Sequence, residues 1–169
     1  TGGVLTARIQ LPLEFVDARW RESTSFFEGL LRRLESTPGV ESAAAAYWLP
    51  VETGWNNGFE LPNGVEPPEG QDGAFARFRP VTPGYFETAG IPLLRGRLFG
   101  PDDSSGAPGV VVVNEAFARH YFPDRDALGE RIGCSNWWGA HGGGCEIIGV
   151  VGDVRFDGRT RDAVSYTHL

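Results

Sequence analysis

Cys134 and Cys145 are the only cysteines in the chain, and they bracket Ser-Asn-Trp-Trp-Gly-Ala-His-Gly-Gly-Gly. A stretch so rich in glycine can close on itself, so in an oxidising compartment the two thiols could join as a disulfide. Such a bridge would stabilise the fold by about 3 kcal/mol through its constraint on the unfolded chain. The alternative is a pair of reduced, buried thiols. A second chemistry open to the same stretch is a zinc site on Cys134, His141 and Cys145, because thiolate and imidazole are preferred zinc ligands and a fourth position could hold water. The spacing opposes it: structural zinc sites use a short two-cysteine knuckle, whereas His141 stands in a glycine-rich loop without a paired ligand.

Other reactive constellations are missing. Nucleophilic catalysis needs Ser, Thr or Cys beside a base, and none of the three histidines lies near a G-x-S-x-G elbow. His120 falls near the end of a helical segment, where the terminal carbonyls and the helix dipole favour a cation, and His168 falls in the terminal stretch. Asp102 and Asp103 sit in Gly100-Pro-Asp-Asp-Ser-Ser-Gly, turn text in which Asp serves the backbone. There is no phosphate-binding G-x-x-x-x-G-K-[ST], and Gly149-Val-Val-Gly152 lacks the third glycine and following helix of a dinucleotide site. No catalytic, cofactor or metal residue is therefore assigned. Trp48, Trp55, Trp137 and Trp138 are the candidate contact surface for a partner or ligand, since Trp combines a large apolar face with a polar edge; the alternative is that they are lids over small cores.

With 41% hydrophobic and 22% charged residues, eleven Phe and five Trp, the 169-residue chain has the composition of a packed domain rather than a disordered one. Its 15 basic and 22 acidic residues give a formal charge of −7, which repels phosphate backbones and argues against nucleic acid as a partner. No window approaches the roughly 18 apolar residues that cross a bilayer, and the opening Thr1-Gly2-Gly3-Val4 carries no signal pattern, so a segment excised from a larger protein is expected.

Along the chain, Leu5, Ala7, Ile9 and Leu11 alternate and predict a first strand over 4–11. From Asp17 to Ser36 the period changes: Trp20, Phe27, Leu30, Leu31 and Leu34 form one helical stripe, with Asp17 as N-cap and Thr37-Pro38-Gly39 as the stop. A second strand over 40–48 would complete a strand-helix-strand unit. Residues 49–73 read as a long connection with one strand-like island at Phe59-Glu60-Leu61. A strand is predicted over 74–81, followed by a short helix with Thr82 as N-cap and Pro83 in its first position, stopped by Gly90. Val110–Val113 reads as a strand covered on both faces; Asn114 caps a helix over 115–122, and Ile147–Val151 gives another buried strand. The expected class is α+β.

Three stretches together resemble a known family. These are Pro38-Gly-Val-Glu-Ser-Ala, Val81-Thr-Pro-Gly-Tyr-Phe-Glu-Thr-Ala-Gly-Ile-Pro-Leu-Leu-Arg-Gly-Arg-Leu-Phe, and Val112-Val-Asn-Glu-Ala-Phe-Ala-Arg-His-Tyr-Phe-Pro. Asp126-Ala-Leu-Gly-Glu-Arg-Ile and Glu146-Ile-Ile-Gly-Val-Val-Gly-Asp-Val-Arg continue the pattern. In order and spacing they resemble the MacB-like periplasmic core domain of FtsX-type ABC transporter permeases. The resemblance implies a single domain over 1–163, with a porter-like lobe of two β-α-β units from 4–48 and 110–153 and a smaller mixed lobe from 49–109. The terminal 164–169 follows a strand and a turn without completing an element and is not expected to be native.

The resemblance further implies a periplasmic, non-catalytic domain placed between the first two membrane helices of an inner-membrane permease that is a dimer in its full form. A cognate cytoplasmic ATPase would hydrolyse ATP, and membrane-helix motion would be passed to the domain for efflux or release of a substrate, with a periplasmic adaptor as a further partner. The rival reading is a free-standing extracytoplasmic ligand- or peptide-binding module that uses the Trp-rich loops. The stretch from Cys134 to Cys145 is longer and more aromatic than the family pattern leads one to expect.

Overall fold

The computed structural model describes residues 3–11, 20–48, 56–100, 102–103, 107–133, 144–154 and 164–168. Helix α1 (Trp20–Glu35) comes first, then strands β1 (Asn56–Phe59) and β2 (Ala74–Val81), helix α2 (Tyr85–Thr88) and strand β3 (Leu93–Gly96). Strand β4 (Val110–Asn114) runs into helix α3 (Glu115–Tyr121), followed by β5 (Arg131–Ile132), β6 (Cys145–Val151) and β7 (Val164–His168). The strands form one mixed sheet in the order β1-β2-β7-β4-β6-β3, with β5 paired to β6. The expected α+β class is the one observed.

The centre of the sheet follows from its valines. Val111, Val112 and Val113 are fully buried, because successive side chains of a strand point to opposite faces and both faces are covered here. Val111 and Val113 join Phe117, Ala118, Tyr121 and Ile147 under α3, while Val112 joins Tyr85, Phe86, Ile91, Phe99 and Ile148 under α2. Strands β4 and β6 are parallel, so β4, α3 and β6 make the β-α-β unit read from the second half of the sequence. The Asn114 carboxamide oxygen accepts from the Phe117 N–H at 3.0 Å and caps α3 as expected.

Gly149 allows β6 to serve both faces twice. Ile147 and Val150 belong to the α3 side and Ile148 and Val151 to the α2 side, so the inside-outside phase reverses across Gly149. The cause is an extra residue: Val111 faces Ile147 but Val112 faces Gly149. Strand β3 carries its own irregularity between Leu93 and Arg95, and Gly96 then faces Gly149. A Cβ on Gly149 would run into the Arg97 carbonyl oxygen, and one on Gly96, at φ 75°, into the Ile148 carbonyl oxygen.

The first half departs from expectation in several places. Residues 4–11 form no strand; they enter none of the described ladders, and 4–10 stand exposed. A period-2 pattern specifies one apolar face but not the edge it will pair with. The predicted strand over 40–48 shrinks to a single antiparallel bridge, Ala46 to Val81, flanked by Tyr47 N–H donating to the Pro80 carbonyl at 3.0 Å and Thr82 N–H to the Ala45 carbonyl at 2.9 Å. Its four consecutive alanines offer little side chain to a pleated surface. The first predicted strand-helix-strand unit is thus reduced to its helix, whose N-cap Asp17 lies outside the described residues.

Helix α2 starts two residues later than predicted, after Gly84 at φ 83°, a conformation open to glycine and costly for Thr82 or Pro83. The Thr82 hydroxyl instead accepts from the Ala45 N–H at 2.8 Å and donates to the Ala45 carbonyl at 3.2 Å. Strands β1 to β3, all from 49–109, share the one sheet with those of 110–153, so ladders cross the boundary drawn between the two lobes. Residues 164–168, not expected to be native, are placed as β7 between β2 and β4.

Candidate functional site

The sequence motifs converge at one end of the parallel pair. Asp153, just past β6, has a side chain only 8% exposed. Its Oδ1 accepts from the Asn114 Nδ2 at 2.9 Å and from the Ala116 N–H at 2.7 Å, and its Oδ2 accepts from the Arg119 Nη2 at 2.8 Å. Arg119 also meets Glu115 one helical turn earlier at 2.7 Å. Hydrogen bonds from Arg119 to Asp153 and then to Glu115 hold its guanidinium above the ordinary arginine value. One carboxylate therefore ties the end of β6 to the end of β4 and to the first turn of α3, where it also suits the helix dipole. Sequence reading found Asn114 as a cap and missed Asp153, whose partners lie more than thirty positions away.

A second carboxylate does comparable work at the turn after β3. Asp103 receives a two-pronged contact from Arg97, at 2.6 and 2.9 Å, and accepts from the Gly100 N–H at 2.8 Å. The bond to Asp103 comes first among the causes that raise the Arg97 guanidinium above its usual value. Asp103 thus serves the backbone of a turn, as its context predicts. Tyr121 closes α3 onto β2, its hydroxyl donating to the Phe75 carbonyl at 2.6 Å and accepting the Phe75 N–H at 3.0 Å. His120 turns its Nε2 to the Gln71 amide at 3.2 Å rather than to a terminal carbonyl.

Of the two cysteines, Cys145 is described: it opens β6 opposite Ile132, is buried, and is disulfide-bonded. Gly109 lies so close that a Cβ there would approach the Cys145 sulfur at 2.9 Å. The β5-β6 ladder places Cys145 at the base of a hairpin, and Arg131 donates to the Gly144 carbonyl at 2.9 Å beside it. Cys134, Trp137, Trp138 and His141 lie outside the described residues, as does Trp55. Trp48 is half-buried against Tyr47, ring centroids 4.5 Å apart, and its carbonyl accepts from the Arg79 Nη1 at 2.7 Å. Arg79 itself is buried, although the alternation of β2 predicts otherwise.

No group of three His, Cys, Asp or Glu side chains among the described residues could hold a metal ion. No helix among them is long and apolar enough to cross a membrane. What the clustered polar side chains do is brace: Asp153 joins the end of β6 to β4 and α3, and Asp103 fixes the turn after β3.

The sequence matches the family described as the MacB-like periplasmic core domain over residues 6–168. Among solved structures, the chain is similar to the periplasmic region of MacB from Actinobacillus actinomycetemcomitans, with a TM-score of 0.57 and 19% identity, covering 83% of this chain and 54% of that one. It is also similar to the extracellular domain of the noncanonic ABC-type transporter YknZ from Gram-positive bacteria, with a TM-score of 0.53 and 16% identity, covering 83% of this chain and 61% of that one. A domain of a putative permease protein from Porphyromonas gingivalis gives a TM-score of 0.50 at 19% identity, covering 79% of this chain and 52% of that one. The chain thus spans between half and two thirds of the length of these relatives. Among curated proteins nothing matches it.

Proposed function

The chain belongs to the MacB-like periplasmic core domain family, and from that premise we propose that it is the extracytoplasmic domain of an inner-membrane ABC transporter permease. In this role it catalyses nothing. It passes movement of the membrane helices, driven by a cognate cytoplasmic ATPase, to a substrate or adaptor outside, and it works as part of a permease dimer.

The observation that carries the proposal is where the motif residues go. Asn114, Glu115, Arg119 and Asp153, drawn from two stretches by which the chain resembles the family, meet in one brace across β4, α3 and β6. Thr82, from a third stretch, ties β2 to Ala45. Residues spent on fixing elements to one another suit a body that transmits displacement, because a transmitted movement is lost wherever the transmitting part deforms.

The disulfide-bonded state of Cys145 supports an oxidising compartment, and Cys134, the only other cysteine, is its proposed partner. The test uses the full permease with a reporter enzyme that is active only outside the cytoplasm, inserted in the exposed Asn63-Gly64 turn of this domain. Reporter activity is expected, and in membranes containing the cognate ATPase the substitution Asp153→Ala should uncouple transport while ATP hydrolysis persists. An inactive reporter would overturn the location; unchanged coupling would overturn the mechanical role.

A further inference from the structure

The chain holds two Asn-Gly pairs, Asn57-Gly58 and Asn63-Gly64. Asparagine before glycine is open to a reaction that needs no enzyme. The backbone nitrogen of the glycine attacks the side-chain carbonyl carbon of the asparagine. The side-chain nitrogen leaves as ammonia, taking up the proton that the backbone nitrogen gives up. Water then opens the resulting five-membered imide at either carbonyl. One opening gives aspartate; the other gives isoaspartate, whose Cβ has become part of the main chain. Ring closure needs an unshielded nitrogen, which glycine offers, and a backbone free to swing toward the side chain.

The fold separates the two pairs on that freedom. Asn57 and Gly58 stand in β1, opposite Ala76 and Phe75 of β2. The Phe75 ring lies against Gly58, its Cε1 3.4 Å from where a Cβ would be. Closing the imide at Asn57 turns the backbone out of its extended form and so breaks the ladder with β2. Asn63 and Gly64 are instead the corners of a β-turn, in which the Val65 N–H donates to the Pro62 carbonyl at 3.0 Å. Gly64, at φ 78°, supplies the left-handed residue of a type II turn. Both corners are exposed, and nothing lies within 4 Å of where a Gly64 Cβ would stand. Among the described residues no hydrogen bond engages the Gly64 N–H.

The turn is held at its shoulders and open at its tip. Leu61 and Val65 pack against the core under α3. Beside them the Gly133 N–H donates to the Glu60 carbonyl at 2.7 Å, and a Cβ on Gly133 would come within 2.7 Å of the Glu60 Cβ. An isoaspartate at 63 inserts a backbone carbon between the two anchored residues Leu61 and Val65, so a shoulder has to shift.

We propose that Asn63 is a site of spontaneous deamidation in the folded domain, that Asn57 is protected from it, and that the isoaspartyl product loosens the contact of Glu60 with Gly133, the residue before Cys134. The proposal stands apart from the transport function. It gives the domain a chemical mark of its age. Each event also adds a carboxylate to 60–72, a stretch that carries Glu60, Glu66, Glu69 and Asp72 and no basic residue.

Peptide mapping of the whole chain, held folded or in urea at mildly alkaline pH, follows the amide-to-acid mass change at each pair and compares each site with itself. Folding should slow conversion at Asn57 by about 10-fold or more, because reaction there waits on opening of the ladder, and should leave Asn63 within about 3-fold of its unfolded rate. Equal slowing at both sites, or no slowing at Asn57, overturns the assignment. Asn63→Gln, which cannot close the five-membered ring, should remove most of the acidic product seen on ion exchange; an undiminished product refutes the site. In the isoaspartyl fraction the Gly133 amide should exchange hydrogen about 10-fold faster than in fresh chain while the Phe117 amide stays as it was. An unchanged Gly133 rate would refute the loosened contact.

Discussion

Replacing Asp153 by Ala removes three contacts at once, and the structure says which of them matter. The carboxylate is 8% exposed and the Arg119 side chain is 51% exposed. The ion pair is therefore half in water and contributes at most about 1 kcal/mol. The Asn114 carboxamide and the Ala116 N–H are different, since both give their hydrogens to a buried oxygen and would be left without it. Losing that acceptor costs each donor about 1–3 kcal/mol, so Asp153→Ala should destabilise the domain by about 3–5 kcal/mol. Arg119→Ala should cost about 1 kcal/mol or less, apart from lost packing of its stem. Asp153→Asn should fall between them, because an amide oxygen can still accept from both donors but no longer attracts the guanidinium. Urea unfolding is the assay. With a slope of about 2 kcal/mol per molar, the midpoint should fall by about 1.5–2.5 M for Asp153→Ala and by about 0.5 M or less for Arg119→Ala. Equal shifts for the two Ala variants would show that the ion pair carries the brace, and the reasoning from burial would be wrong.

Gly149→Ala should cost more than about 4 kcal/mol, because the added methyl meets the Arg97 backbone and not a side chain that can swing away; circular dichroism and a urea midpoint would measure it. Reducing the cystine should lower stability by about 3 kcal/mol, and peptide mass mapping without reductant should recover Cys134 joined to Cys145. Burial, opposed by the positive charge of Arg79, raises the pKa of Tyr85, and burial, opposed by the hydrogen bond to the Phe75 backbone, raises that of Tyr121. Both therefore hold their protons in the fold longer than in the unfolded chain, so stability should be level below about pH 10 and fall as the pH climbs above it. Tyr85→Phe should weaken that alkaline loss, as followed by tyrosinate absorbance beside an unfolding signal.

What could be read in the residues depended on how local the cause was. The four-valine run, the Asn114 cap and the Asp103 turn are each set within a few positions, and each stands where the sequence places it. Asp153 works through partners on two other elements, and no period or short motif signals that. Arg79 sits on a strand whose alternation points it outward, yet the Trp48 carbonyl gives its guanidinium a buried acceptor. Thr82-Pro83 reads as a helix start, but the backbone turns at Gly84 because only there is a left-handed residue cheap. Pairing is the least local property of all, and the expected strands over 4–11 and 40–48 failed on pairing and not on pattern. Of the candidate contact surface only Trp48 lies within the described residues, where it is half-buried beside Tyr47.

The facing pair Gly96 and Gly149 bears on how this sheet would behave under load. A regular ladder pulled along its strands can fail by slippage, since each two-residue step restores an equivalent set of bonds. Strand β6 has no such equivalent step. Sliding it against β3 in either direction would bring a residue with a Cβ to the place where the Arg97 carbonyl tolerates none. The two glycines act as a detent: they let the strands lie close at one register and exclude its neighbours, so a pull applied at one end of β6 arrives at the other with little travel lost between.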